Sequence, residues 1–234
     1  MQPDQQYATV TVGDLDEATV AAVHATLLAP VFRPEELLSP ADLRAGHGPG
    51  GSSPSTVLLA GDRPVAVMLG EWFCRRRALL LSYLSVSDTV RGAGLGTRLL
   101  EQALPTWWGD EPEPTVLAEV DDPAVWPADA LGGDPRARLR FYARHGARLA
   151  GLPYVQPSLP GGPGRGTGML LLRLRRGAGE PVAPAEFLRD YYATYEGPGA
   201  AEDPEVVGLL RQAAGLGEDV WWDVDRWPEV RGNR

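Results

Sequence analysis

The sequence predicts an α/β fold built on a mixed, mainly antiparallel central sheet with helices on both faces. Three observations carry the prediction. Residues 56–86 hold three successive strand-like runs separated by short turns. Residues 95–120 read as a helix and then a strand, and a return to the same sheet across a helix gives a parallel pair. A capped helix near 134–146 is followed by two further strand-like runs. The chain has 234 residues, 44% of them hydrophobic, which is enough to bury a sizeable core in one or two domains.

The elements follow in order. Tyr7 to Val12 alternates and predicts a short strand. Asp14 is placed to cap a helix to about Leu28, with Val20, Val23, Leu27 and Leu28 on one face. Pro34 to Arg44 predicts a second short helix, and His47 to Ser55 a Gly/Ser/Pro loop. Thr56 to Ala60 and Val65 to Phe73 predict strands joined by a tight turn at Gly61-Asp62-Arg63-Pro64. Leu79 to Val86 is nearly all apolar and predicts a central strand. After a loop from Ser87 to Gly96, Leu95, Leu99, Leu100, Ala103 and Leu104 share one helical face, which Pro105 should end. Thr115 to Val120 predicts the crossover strand. Asp134-Pro135 opens a helix to His145, with Gly146 just past its end. Two strands are expected at Arg148 to Val155 and Gly168 to Arg175, around a Pro/Gly loop from Gln156 to Thr167.

Beyond Gly177 the character changes: acidic residues outnumber arginines, and three of the seven Trp lie there. Residues 1–176 are therefore expected as one domain and 177–234 as an acidic, aromatic-rich extension packed on it. Short helices are expected near Pro184 to Tyr195 and Pro204 to Ala214. The aromatics Tyr191, Tyr192, Tyr195, Trp221, Trp222 and Trp227 suggest packing on the main domain or on a second subunit, so a homodimer is reasonable.

Composition excludes whole mechanisms. All 22 positive side chains are arginine. A Walker P-loop and a pyridoxal phosphate Schiff base both need a lysine. With Cys74 as the single cysteine there is no intrachain disulfide and no multi-cysteine zinc site. His24, His47 and His145 are far apart and match no metal motif. The net charge of −9 argues against broad nucleic-acid binding and suits a cationic substrate. No apolar run is long enough for a membrane span. The polar start Met1 to Gln6 has no apolar signal region, so a cytoplasmic location is expected.

The chemistry concentrates in Arg91-Gly92-Ala93-Gly94-Leu95-Gly96-Thr97, between the apolar strand and the amphipathic helix. Glycines at alternate positions allow a sharp turn whose N–H groups converge on an anion. The helix start adds its own unpaired donors, and Arg91 adds a charge. A phosphate or pyrophosphate is the natural ligand. A Rossmann loop would need glycine where Thr97 stands and would follow the first strand of a parallel unit. A glycine-rich turn with no ligand remains the alternative.

Leu84-Ser85-Val86-Ser87 followed by Val90-Arg91-Gly92-Ala93-Gly94-Leu95-Gly96-Thr97-Arg98-Leu99-Leu100 resembles motif A of the GNAT N-acetyltransferase superfamily, an Arg/Gln-x-x-Gly-x-Gly/Ala loop after a central strand. Arg140-Phe141-Tyr142-Ala143-Arg144-His145-Gly146 resembles the family's motif B. The element order agrees over about residues 7 to 176. The resemblance implies acetyl-CoA, or another acyl-CoA, as cofactor. It implies that the amides of Arg91, Gly92, Ala93, Gly94, Leu95, Gly96 and Thr97 hold the pyrophosphate. The strand backbone at Leu84, Ser85 and Val86 would pair with the pantetheine arm, and Tyr142 would lie near the thioester sulfur and protonate it on departure. The sequence departs from the family's pattern at Pro135, where an Asn is common, and at Ala147, where an aromatic is usual. The segments Asp121 to Gly133 and after Tyr154 are longer than usual and would border the acceptor pocket.

Acyl transfer to an amine needs a base for the ammonium, a donor for the oxyanion and a proton for the leaving group. A strand N–H near Val86 suits the oxyanion. Glu119, near the end of its strand, is the first candidate base and Glu71 the next, the latter also a candidate acceptor contact. Asp121 and Asp122 suit a cationic acceptor, and Trp126, Tyr154 and Gln156 are candidate pocket residues. Cys74, between a strand and Arg75-Arg76-Arg77, reads as a small apolar residue. The expected function is acyl transfer to a primary amine of a small molecule. Protein or peptide acetylation, and a non-catalytic acyl-CoA-binding regulatory module, are the alternatives.

Overall fold

The computed structural model describes residues 7–128, 133–159 and 164–230. The polar start Met1 to Gln6, parts of the two long loops (129–132 and 160–163) and residues 231–234 lie outside them. The chain forms two compact units. The first holds the residues up to Glu71 together with Leu81–Glu111, and the second holds Trp72–Leu80 and everything from Pro112 onward.

The strand order through the first unit is β1 (Ala8–Val10), β2 (Ser55–Ala60), β3 (Arg63–Phe73) and β4 (Ala78–Val86), the residues from Trp72 to Leu80 at the hairpin end counting with the second unit. β1 and β2 pair antiparallel, with Val10 opposite Val57. β2 and β3 do the same, with Val57 opposite Val67 and a bulge at Leu58/Leu59. The bulge comes where Pro64, which has no N–H to give the ladder, stands opposite Leu59. Helices α1 (Glu17–Val23) and α2 (Pro40–His47) cover this sheet. Val20, Val23, Leu27, Leu28 and Leu43 pack on Val57, Val67, Leu69 and Tyr83 in one buried cluster.

Two helix boundaries differ from expectation. Asp14 does not cap α1: its Oδ2 accepts from the Thr11 N–H at 2.8 Å and closes a 3-10 turn. Asp16 is the cap, accepting from the Thr19 N–H at 2.7 Å. The expected helix from Pro34 to Arg44 splits into a 3-10 turn, Pro34–Glu36, and α2, because Pro40 starts a new helix capped by Ser39. The helix after the glycine loop begins as α3 (Leu95–Arg98), widens to a π-helical turn at Leu99–Ala103 and tightens to 3-10 at Leu104–Trp107. Pro105 therefore does not end it, since the first turn of a 3-10 segment needs no proline donor.

In the second unit the strand order is β5 (Thr115–Asp121), β7 (Met169–Arg175), β6 (Arg148–Ala150) and β8 (Trp221–Asp223). All three pairings are antiparallel, with Glu119 opposite Leu171, Leu149 opposite Leu172, and Leu149 opposite Trp222. Helix α4 (Pro135–Arg144) is capped by Asp134, whose side chain accepts from the Arg136 N–H. Gly146 follows it at φ +78°, a left-handed conformation that glycine adopts without strain. β6 is shorter than predicted, ending at Ala150, and β8 was not predicted. A three-residue run carries little strand signal by itself; pairing with β6 makes it a strand.

Helices α5 (Pro184–Glu196) and α6 (Pro204–Leu216) supply much of the second core. Phe187, Leu188, Tyr191 and Tyr192 of α5 pack with Phe73, Leu80, Leu117 and Leu171. Residues 182–221 thus share one core with residues 112–176 of the same chain. Arg165 bridges the Gln156–Thr167 loop to these helices. It bonds Glu196 at 2.6 Å, Asp203 at 3.0 Å and Glu205 at 2.8 Å. These bonds hold the Glu196 and Asp203 carboxyls below their ordinary values. A short helix, α7 (Trp227–Val230), ends the described chain.

Two outcomes follow from this packing. Phe187→Ala empties a fully buried aromatic site and is expected to cost about 3–5 kcal/mol, measured by urea denaturation. The Arg165 network adds stability above pH 4.5, the ordinary value of Glu196, and loses it as pH falls through the depressed value. Arg165→Met should therefore destabilise the protein by about 1 kcal/mol at neutral pH and flatten the acid limb of a melting-temperature profile.

Candidate active site

The glycine loop belongs to the first unit. A 3-10 turn, Asp88–Val90, leads to Arg91, whose Nη2 lies 2.6 Å from Asp88 Oδ1 on the exposed surface. Gly92 and Gly94 sit at φ +84° and +74°, and a Cβ built on either meets nothing within 4 Å. The space above the loop is therefore open. Gly94 is the N-cap of α3, and the first helical bond runs from the Arg98 N–H to the Gly94 carbonyl. The Leu95 and Gly96 amides precede that bond. Leu95 is buried and pins the start of the helix, while Arg91, Gly92, Ala93 and Gly94 are exposed and Thr97 is half-buried.

The strand before the loop carries Leu84, Ser85 and Val86. Leu84 and Val86 are half-buried on one face. Ser85 is buried on the other, and its Oγ has no hydrogen-bond partner among the described residues. Such an orphan is costly and uncommon. Glu71, in the same unit, accepts a 2.8 Å bond from Ser82 Oγ across the β3–β4 hairpin.

The second unit builds a different polar site. Residues 117, 119 and 121 share a face of β5, so Glu119 lies beside Leu117 on the side packed by α5. Its Oε1 accepts from the Tyr154 hydroxyl. Its Oε2 accepts from Gln156 Nε2 at 2.8 Å and from the Tyr191 hydroxyl at 3.1 Å. Gln156 is held by a bridge to Gly166, where any Cβ would fall 2.7 Å from Gln156 Oε1. Burial and the Glu119 charge push the Tyr154 phenol well above its ordinary value.

The other predicted residues separate. Asp121 is buried and pairs with Arg138 at 3.3 Å. Asp122 is also buried, its Oδ1 accepting from the Ala124 N–H at 2.9 Å. Trp126 stands over Gly168, where a Cβ would fall 2.8 Å from its Nε1. Tyr142 is buried on α4, and burial pushes its phenol up to about 12. Cys74 is buried, and burial together with the nearby Asp190 charge pushes its thiol up to about 12. Of the predicted set, then, Glu119, Tyr154 and Gln156 form one cluster. Sequence reasoning missed Tyr191 as its fourth member. The helical spacing of Tyr191, Tyr192 and Tyr195 signalled packing, but nothing in it pointed a hydroxyl at a residue 72 positions away.

No protein-family model and no curated protein matches the sequence. Solved structures do match. A GNAT-family protein from Bacteroides thetaiotaomicron superposes with a TM-score of 0.50 at 22% identity, covering 72% of this chain and 85% of its own. The ribosomal-protein-S18-alanine N-acetyltransferase of Escherichia coli gives 0.48 at 14% identity over 72% and 93% of the two chains. A GNAT-family protein from Desulfovibrio desulfuricans gives 0.49 at 16% identity over 73% and 99%. The superposition on the first of these, taken with the α/β architecture described above, establishes that the chain has the GNAT acetyltransferase fold.

Proposed function

We propose that the protein is an acyl-CoA-dependent N-acyltransferase, transferring acetyl to a primary amine of a small molecule. The observation that carries the reading is the loop at Arg91 to Thr97: two left-handed glycines with open space above them, leading into a helix start, on a GNAT fold. The residues present fit the cofactor. Helix-start amides at Leu95 and Gly96 suit a pyrophosphate. The ion pair of Arg91 with Asp88 is exposed and worth about 0–1 kcal/mol, so exchanging Asp88 for a phosphate costs it little. The orphaned Ser85 hydroxyl on β4 is a further donor that a ligand along the strand would satisfy.

Bound acyl-CoA supplies a thioester activated toward attack by an amine. The chain's own residues do the rest. Glu119 accepts a proton from the acceptor ammonium as the general base. Tyr142, with its phenol near 12, holds its proton throughout the neutral range and offers it at Oη to a departing group. The net charge of −9 favours a cationic acceptor. Glu71, Asp121, Asp122, Trp126, Tyr154 and Gln156 remain the proposed acceptor contacts.

The occupancy of Glu119 favours one second reading. A carboxylate already holding three donors also suits a non-catalytic acyl-CoA-binding module. Turnover of acetyl-CoA with a panel of amines separates the two.

Acetyl-CoA at one hundred times its dissociation constant is expected to raise stability by about 2.7 kcal/mol, read as a thermal shift and by calorimetry. ATP should have no comparable effect, and Gly94→Val, which fills the left-handed position, should abolish the response while the protein stays folded. No response to acetyl-CoA or CoA in the wild type would refute the transferase reading. Tyr142→Phe is expected to lower kcat by roughly 10²-fold, the low end for a general acid, because a phenol near 12 is a weak donor. Its affinity for acetyl-CoA should be unchanged, and the wild type should show no alkaline limb from this residue below pH 11.

A further inference from the structure

Glu119 receives one of its donors from outside the region that resembles the transferases. Tyr154 and Gln156 stand on the irregular segment after β6, whereas Tyr191 stands on α5, a 13-residue helix. The supports are not equivalent. The Tyr191 ring is buried and touches aromatic rings on three sides. It meets Phe73 edge-on at 5.2 Å, Phe187 stacked at 5.3 Å and Tyr195 edge-on at 5.3 Å. Packing of this kind fixes the ring, so the hydroxyl direction is set by the docked helix and not by the bond it makes.

We propose that Tyr191 is a positioning residue: from helix α5 it holds the Glu119 carboxylate in one orientation and makes that orientation depend on the docking of the helix. The proposal rests on the reading of Glu119 as the base and adds to it a required residue from the segment after Gly177. The terminal torsion of a glutamate is broad, so the carboxylate plane is not set by its own rotamer. Bonds to both oxygens, from two separate elements, set it. Without the Tyr191 hydroxyl, Oε2 keeps the Gln156 amide, which comes from the same segment as the donor to Oε1. The titratable groups that face the carboxylate include Tyr154, Tyr191 and, through space, Tyr192, whose hydroxyl goes to the Val155 carbonyl.

The test uses the full chain labelled with ¹³C at the glutamate carboxyls, the Glu119 signal being assigned by its loss in Glu119→Gln. Tyr191→Phe removes one hydroxyl and keeps the ring packing. The expected result is a rise of about one pH unit in the Glu119 titration midpoint, the size of one lost hydrogen bond to a charged acceptor. Thr194→Ala is the control: its hydroxyl, on the same helix, donates to the Asp190 carbonyl, and its loss should leave the midpoint in place. Fluorotyrosine at position 191 is a stronger donor and should move the midpoint down. Unchanged midpoints in both position-191 variants would overturn the proposal. A shifted midpoint alongside full transfer activity in Glu119→Gln would uphold the positioning and refute the base assignment.

Discussion

A carboxylate on the core-facing side of a strand constrains the second unit. Glu119 alternates with Leu117 on β5, and Leu117 packs among Phe187, Tyr191 and Leu171. A charge at that level is costly unless it is paired and hydrogen-bonded. Neutral donors contribute to meeting the requirement: two phenols and an amide, from the loop after β6 and from α5. Neutral donors of this kind lower the cost of burying the carboxylate without adding charge of their own.

Arginines pair with carboxylates at several other points of the second unit. Arg165 collects Glu196, Asp203 and Glu205 at the junction of loop and helices. Arg138 takes Asp121, next to the strand end. Arg77 pairs with Glu186, and Asp190 accepts from the Cys74 N–H, so that the turn at the tip of the β3–β4 hairpin is tied to α5. That turn carries three successive residues, Cys74, Arg75 and Arg76, at positive φ, which non-glycine residues adopt only when their surroundings hold them. The contacts to α5 and the stacking of Arg76 on Trp72 do so here.

Much of the first unit was legible because its signals are local. Alternation at Tyr7 to Val12, the apolar periodicity from Val20 to Leu28, the turn at Gly61-Asp62 and the glycine loop each depend on neighbours a few residues away, and each corresponds to an observed element. The misread boundaries have local causes too. Two aspartates two positions apart compete to cap α1, and the one beside Thr11 is consumed by its own turn. A proline inside a polar stretch started a helix where the sequence pattern ran on.

By itself the sequence determined the α/β class, the glycine loop between a strand and a helix, the helix with Gly146 just past its end, and the lack of lysine. These are properties of composition, spacing and backbone freedom, and they do not depend on what lies across the core. Tertiary structure alone decided that Trp221–Asp223 is a strand, that Asp121 and Asp122 are held by Arg138 and a turn amide, and that Tyr191 completes the Glu119 cluster. Apart from the local Asp122–Ala124 turn, each of these depends on a partner further along the chain. A hydroxyl's bond or a three-residue strand leaves no period in the chain, and only the packing of α5 and the pairing of β6 bring the partners together.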